Sequence, residues 1–390
     1  MSEETKRQDE MPQDGLEFIK WLREKGENET PNYRKYFRFL RFRAREKGVP
    51  VHGQFELTPL CNFNCKMCYV HLDPNQMNGR GLLSVDTWKD LMHQAWEAGM
   101  LRAALSGGEC LTYPGFDEIF LYLHSLGCEV SVLTNGLLLD EKRIEFFKEH
   151  MPTYIQVTLY GCDNDSYERV TGQREFETVT DNIRKAVDAG LPIRVSVTPN
   201  QFLGEKDVLK TIRIGKSLGR AFAVNSGIFK PREGTGRSDQ EDDMEADVYV
   251  RIYRLLDELN GREHRTIDVD KLPPAGGPSH ECTECGLRCG GGRSSFVVDW
   301  KGTMMACNRM TMLSADLLNE GFAAAWKKVN EGANSWPRVS ECDGCPYLSV
   351  CDTCAANMLQ FVKPGERPIA LCERTKYYVQ CGVLDIQECN

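Results

Sequence analysis

The sequence predicts an α/β chain. Its centre is an open, partial (β/α)6 barrel of parallel strands, with a short helical N-terminal segment before it and a small cysteine-rich domain after it. Three observations lead there. Strand-like and helix-like segments alternate strictly across residues 51–262, the pattern of a parallel sheet with helices outside. Six such units are too few to close an eight-stranded barrel. The 17 cysteines cluster instead of scattering, and most of them follow residue 281.

The elements follow in order. Residues 1–50 are a polar tail leading into helical pattern, with Leu16, Ile19 and Leu22 at helical spacing and a stop at Gly26. Arg34–Lys47 is basic, with Phe37, Leu40 and Ala44 on one helical face. That segment is read as a helix packed on the barrel with a solvated basic face, in preference to a dock for an acidic peptide or nucleic acid. Strands are expected at Phe55–Thr58, Leu101–Leu105, Glu129–Thr134, Tyr154–Leu159, Ile193–Thr198 and Ala221–Asn225. Helices are expected at Thr87–Ala98, Phe116–Leu126, Glu141–His150, Glu177–Ala189, Lys206–Leu218 and around Ala246–Leu259. In such a sheet the function sits at the C-terminal ends of the strands. Residues 263–281 hold Pro273, Pro274, Gly276, Gly277 and Pro278, a linker signal. Within residues 282–390, Phe296–Asp299 and Thr303–Ala306 read as a hairpin turning at Gly302.

Composition narrows the function classes. Hydrophobic residues make up 41% and charged residues 27% of the 390, ordinary for a globular protein. No run approaches the ~20 apolar residues of a membrane span. The N-terminal residues lack the basic-then-apolar pattern of a signal peptide, so a cytoplasmic protein is expected. The net charge of −9 argues against nucleic acid as a partner. In a reducing compartment clustered cysteines read as metal ligands, not disulfides.

Cys61, Cys65 and Cys68 have C-x3-C-x2-C spacing on the loop after the first strand. Three closely spaced thiolates can hold three irons of a 4Fe–4S cluster, leaving the fourth iron open. The competing reading is a zinc site completed by His71. Gly107-Gly108-Glu109 follows the second strand, Thr158 ends the fourth, and Arg169 and Gly172 form an R-x-x-G segment after it. Together these residues resemble the radical S-adenosylmethionine (SAM) superfamily. The resemblance implies that the open iron chelates SAM and that Tyr69 lies beside its adenine. It also implies that Gly107, Gly108 and Glu109 meet the amino group and that Thr158, Arg169 and Ser196 complete the site, with Thr198 near it. Tyr160 stands where relatives commonly carry Asp.

The later cysteines read Cys289-x12-Gly302-x4-Cys307, then Cys342-x2-Cys345-x5-Cys351-x2-Cys354, then Cys372. Without the first motif this would read as a zinc ribbon. With it, the pattern resembles the SPASM extension of peptide-modifying radical SAM enzymes, departing from it in having x2 before Cys354. The resemblance implies one auxiliary cluster on Cys289, Cys307, Cys354 and an upstream cysteine, Cys285 preferred over Cys282. It implies a second on Cys342, Cys345, Cys351 and Cys372. Cys110, Cys128 and Cys162, beside strand-like segments, read as core thiols.

The implied cofactors are SAM and three 4Fe–4S clusters. The implied activity is an oxidoreductase that abstracts hydrogen from a ribosomally made precursor peptide and forms a thioether or other cross-link. Formylglycine formation, as in sulfatase maturases, and oxidation of a small molecule are the alternatives. The former is lowered by Asn308, which stands where those relatives carry Asp. A non-enzymatic iron–sulfur or zinc scaffold is disfavoured by the full SAM-site set. A flavodoxin- or ferredoxin-type reductant and a monomeric chain are expected, with no membrane partner.

Overall fold

The structure is a computed structural model, and it describes residues 33–225, 227–232, 244–263, 267–269, 272, 286–351 and 354–383. Leu16, Ile19, Leu22, Gly26, the Pro/Gly linker residues, Cys282 and Cys285 lie outside the described residues.

Among the described residues nine strands form one sheet. They are β1 (His52–Glu56), β2 (Arg102–Ser106), β3 (Glu129–Thr134), β4 (Tyr154–Thr158), β5 (Ile193–Val197), β6 (Ala221–Val224), β7 (Ser295–Val298), β8 (Thr303–Met305) and β9 (Ser314–Asp316). The order is β6-β5-β4-β3-β2-β1-β7-β8-β9. β1 to β6 pair in parallel, each with its successor in the chain. That is the winding of a partial barrel, and it puts the C-terminal ends of the six strands on one rim.

The helices between them are α2 (Val85–Glu97), α3 (Phe116–Ser125), α4 (Glu141–Glu149), α5 (Asn164–Thr171), α6 (Phe176–Asp188) and α7 (Glu205–Leu218), with α8 (Ala246–Leu259) after β6. Each buries one face on the sheet. In α6 that face is Val179, Ile183 and Ala186, at helical spacing. Starts are fixed by side-chain caps: Ser84 accepts from the Thr87 N–H, and Asp140 from that of Arg143. The strands alternate: in β5, Ile193, Val195 and Val197 are buried in the core, with Arg194 and Ser196 between them on the other face. Each fully buried Leu, Ile, Val or Phe side chain stabilises the fold by about 1.5–3 kcal/mol.

The first strand begins three residues before its expected start, because the backbone of His52 already accepts β2 and β7 as partners. Helix α5 is not in the sequence reading. It is eight residues long and mostly polar, and a capping box between Asp163 and Ser166 defines its start. Its end is Gly172, in the left-handed region at φ 75°.

The expected hairpin is present: β7 and β8 pair antiparallel around a turn in which Gly302 takes φ +83°. The Asp299 carboxylate accepts from the Lys301 and Thr303 N–H groups at 3.0 and 2.9 Å. β7 also pairs in parallel with β1, His52 opposite Ser295 and Phe55 opposite Val298. The cysteine-rich region thus continues the barrel sheet. Helix α9 (Phe322–Asn334) covers this extension, with Phe296 5.3 Å from Phe322 and 5.9 Å from Phe55, ring to ring.

Helix α1 (Tyr33–Lys47) packs as the sequence reading preferred. Phe37, Phe39 and Ala44 are buried and Leu40 is partly so. The Arg102 guanidinium lies 3.4 Å from the Phe37 ring centroid, and Arg45 donates to the Arg288 carbonyl at 2.9 Å.

Candidate active site

The loop after β1 carries Cys61, Cys65 and Cys68 over the rim. The three thiols lie within electrostatic reach of one another. Backbone N–H groups point at two of them, Phe63 to Cys61 Sγ at 3.4 Å and His71 to Cys68 Sγ at 3.3 Å. The Asn135 side-chain amide donates to Cys61 Sγ at 3.7 Å. Tyr160 lies near Cys65, its ring edge-on to Phe63 at 6.1 Å. Burial pushes the Cys61 thiol up to about 12 and Cys65 well above its usual range. Thiolates here need cationic partners, as bound iron would be.

The donor set fits a cluster: three sulfurs, with donors already aimed at them. No three His, Cys, Asp or Glu among the described residues are arranged to hold a single metal ion. A cube of irons and sulfides stands its thiolates further apart than one ion does. His71 turns its imidazole to Asp73, 3.9 Å away.

The loop's position is set by its neighbours. Asn64 and Lys66 N–H groups bond the carbonyls of Thr171 and Val170 at the end of α5. On the other side, Gly108 N–H bonds the Thr58 carbonyl at 2.7 Å and Glu109 N–H the Leu60 carbonyl at 2.9 Å. A Cβ on Gly107 would stand 2.4 Å from the Thr58 oxygen, and one on Gly108 2.3 Å from the Leu60 oxygen. Gly107 also takes φ +138°. The two glycines are required because this backbone lies directly on the segment leading to Cys61.

Glu109 is only 1% exposed, and its carboxylate is already engaged. It accepts from Thr134 Oγ1 at 2.8 Å, Leu111 N at 3.1 Å and Asn135 N at 2.7 Å. Burial nevertheless raises its pKa above the usual carboxylate value, and these hydrogen bonds oppose the rise. Glu109 therefore locks the ends of β2 and β3 together. Thr158 and Ser196 face each other across β4 and β5, hydroxyl to hydroxyl at 3.2 Å. Arg169 is on the last turn of α5 beside the cysteine loop, but its guanidinium pairs with Asp207 of α7 and is half exposed.

Tyr69 follows Cys68 and turns towards the C-terminal region. Its hydroxyl accepts from the Asn308 amide at 2.6 Å. The Arg232 guanidinium lies 5.6 Å from its ring centroid. Burial pushes the phenol up to about 12, Glu56 adds to the rise, and Arg232 and Arg309 oppose it. Arg232 in turn pairs with Glu56, which is 1% exposed at the end of β1. Desolvation works against the charge on Arg232, and the Glu56 carboxylate outweighs it, so its pKa is held above the usual value.

The C-terminal cysteines gather in two places. Cys354 is within electrostatic reach of Cys307, whose thiol burial pushes up. Cys289 lies beside Gly291, which itself abuts the Ala306 carbonyl next to Cys307. Cys285, the expected fourth member, is outside the described residues. Cys342, Cys345, Cys351 and Cys372 line a single cavity together with Arg367, Thr375 and Lys376. Thr375 Oγ1 donates to Cys351 Sγ at 3.5 Å. Cys110, Cys128 and Cys162 are buried in the core as expected.

Sequence reasoning missed three residues of this site. Asn135, Glu56 and Arg232 carry no local signal, and each acts through a partner remote in sequence.

Comparison with known proteins agrees with this geometry. Residues 55–213 match the family model described as the radical SAM superfamily. The antilisterial bacteriocin subtilosin biosynthesis protein AlbA of Bacillus subtilis is 29% identical over 161 residues, 40% of this chain but only 34% of AlbA. The AdoMet-dependent heme synthase of Methanosarcina barkeri is 24% identical over 325 residues, covering 77% of this chain and 90% of that protein. The crystal structure of Streptococcus suis SuiB bound to S-adenosylmethionine superimposes with a TM-score of 0.65 at 16% identity, over 92% of this chain and 87% of SuiB. That likeness is one of fold. The rim of β1 to β5 and the cysteine loop above it lie within the matched segment, and residues 55–213 of this chain are a radical SAM domain.

Proposed function

We propose that this radical SAM enzyme is an oxidative maturase of a ribosomally made peptide. Cys61, Cys65 and Cys68 would hold a 4Fe–4S cluster with SAM on its open iron, which when bound supplies a 5′-deoxyadenosyl radical able to abstract hydrogen from an unactivated carbon. The chain's own residues bind, orient and exclude water. Gly107 and Gly108 let the second loop press against the segment leading to Cys61. Thr158 and Ser196 present two hydroxyls at the β4 and β5 ends. Glu109 fixes the β2 and β3 ends. The Tyr69 ring, backed by Arg232, faces the C-terminal region from this side.

Two further thiol sets would hold auxiliary clusters, Cys285, Cys289, Cys307 and Cys354 for one and Cys342, Cys345, Cys351 and Cys372 for the other. They give the electron left on an oxidised product a route out. The chain divides into residues 1–50, a radical SAM barrel over 51–262, a linker over 263–281 and a SPASM-type domain over 282–390. A flavodoxin- or ferredoxin-type protein would supply the first electron. Among the described residues no helix is long and apolar enough to cross a membrane.

The observation that carries this reading is the Asn308–Tyr69 hydrogen bond. It joins the residue after Cys307 to the residue after Cys68, so both cysteine systems border one substrate space. AlbA, by its name a bacteriocin biosynthesis protein, supports a peptide as substrate.

A second reading has its own support. The match to the heme synthase spans far more of the chain than the match to AlbA. Two guanidiniums, Arg232 and Arg309, also bear on Tyr69 at the site. Both suit a small molecule carrying carboxylates. Formylglycine formation is not favoured, because position 308 carries an amide already committed to Tyr69.

The test is mass spectrometry of an anaerobic reaction containing reconstituted enzyme, SAM, reductant and the short peptides encoded beside its gene. A peptide losing two hydrogens, with matching 5′-deoxyadenosine, supports the maturase. Deoxyadenosine with modification of a carboxylated tetrapyrrole, and none of any peptide, supports the second reading. No deoxyadenosine from iron-loaded protein overturns both.

A further inference from the structure

One side chain outside the expected site donates a hydrogen bond to a sulfur of the first cysteine set. Asn135, 4% exposed, directs its amide to Cys61 Sγ at 3.7 Å and to Asn62 Oδ1 at 2.6 Å. Its backbone N–H is tied to Glu109 and its side-chain oxygen accepts from the Leu137 N–H at 3.0 Å, so the amide has little freedom to turn away. Asn62 lies within the cysteine motif itself, so the same amide holds the loop and the thiol together.

A metal-bound thiolate has no proton and only accepts, so the Asn135 amide must be the donor. Reduction adds negative charge to a cluster and spreads it onto the sulfurs. A donor aimed at sulfur stabilises the reduced form more than the oxidised form, and the midpoint potential rises.

We propose that Asn135 is a positioning residue that raises the reduction potential of the SAM-binding cluster, by donating to Cys61 from the end of β3. The inference rests on the proposed cluster at Cys61, Cys65 and Cys68. It identifies one determinant of how strong a reductant the chain requires.

The experiment is an EPR-monitored redox titration of the full reconstituted chain, following the reduced-cluster signal that changes on adding SAM. That change marks the open-iron cluster and separates it from any auxiliary one. Asn135→Leu keeps the branched shape of the side chain and removes the donor. Its midpoint is expected to fall, with the reduced fraction at a fixed potential near the wild-type midpoint dropping several-fold. A ten-fold change in the reduced-to-oxidised ratio corresponds to about 59 mV for one electron. Asn135→Ala is expected to shift the midpoint the same way, and it provides an independent reading should Asn135→Leu lose iron. Unchanged midpoints in iron-loaded variants that still respond to SAM overturn the inference and leave the proposed function standing. Absence of any SAM-responsive signal in the wild-type protein overturns both.

Discussion

Asn308 donates its side-chain amide to the hydroxyl of Tyr69 at 2.6 Å. These residues are far apart in sequence, yet each directly follows a cysteine of a different set, Cys307 and Cys68. Asn308→Ala removes the link and little else. A typical hydrogen bond contributes about 0.5–1.5 kcal/mol net, so the fold should persist. The expected result is SAM cleavage near the wild-type rate with a several-fold lower yield of product per deoxyadenosine. Chromatography of deoxyadenosine alongside product mass spectrometry measures that ratio, and an unchanged ratio would show the bond to be structural only.

Arg232 and Glu56 form a buried ion pair beneath Tyr69. Arg232→Met leaves Glu56 buried without its counter-charge, at a cost of about 3–5 kcal/mol. Adding Glu56→Gln should recover part of the loss. The pH dependence has a definite sign. Burial raises the Glu56 pKa above its unfolded value, so its contribution is fully present below the unfolded value and is lost as pH rises through the folded one. Arg232→Met removes the charge that opposes the rise, so its deficit should be smallest in acid and grow towards neutral pH. Denaturant melts at a series of pH values measure this, and a deficit independent of pH contradicts it.

Gly107→Ala tests the close approach of the second loop to the first. The added methyl would fall 2.4 Å from the Thr58 oxygen at a φ of +138°. Strain of this kind costs about 1–3 kcal/mol. It is relieved most directly by displacing the segment that leads to Cys61. Lower iron occupancy and slower deoxyadenosine formation are expected, while far-UV circular dichroism stays near wild type. Gly190→Ala, also at positive φ but with open space around it, should leave iron occupancy unchanged.

The cysteine sets should be separable by metal analysis. Replacing Cys61, Cys65 and Cys68 together by Ala should remove about four irons per chain, one 4Fe–4S cluster, and all deoxyadenosine formation. Replacing Cys342, Cys345 and Cys372 together should remove a similar amount and spare deoxyadenosine formation. Iron analysis with Mössbauer spectroscopy reads both. Loss of deoxyadenosine in the second variant at full occupancy of the first site would mean the sets are not independent.

Much of the barrel was legible because its signal is local. Alternating stretches such as Ile193–Val197 and amphipathic ones such as Phe176–Asp188 announce themselves by period, and the cysteine loop by spacing. Helix α5 was hidden because its start depends on a side-chain cap and its apolar face is short. The pairing of β7 with β1 was hidden because register between remote strands leaves no trace in either one. Glu56 showed the same limit. As one carboxylate in a strand it looks like any surface acid, and only Arg232 across the fold explains its burial. Glu109 was read from its motif. The structure shows its carboxylate taken up by Thr134, Leu111 and Asn135, a role its neighbours in sequence do not reveal.

The parallel pairing of β1 with β7 also bears on the order of events during synthesis. The first strand leaves the ribosome early, but its outer neighbour is made only after the whole barrel has been translated. At about 5–20 residues per second that interval is on the order of tens of seconds, during which one flank of β1 has no strand beside it. The loop that follows β1 carries the first three cysteines. A nascent chain therefore presents those thiols on an unfinished sheet, and delivery of iron before the hairpin docks would meet a more open loop than the finished protein offers.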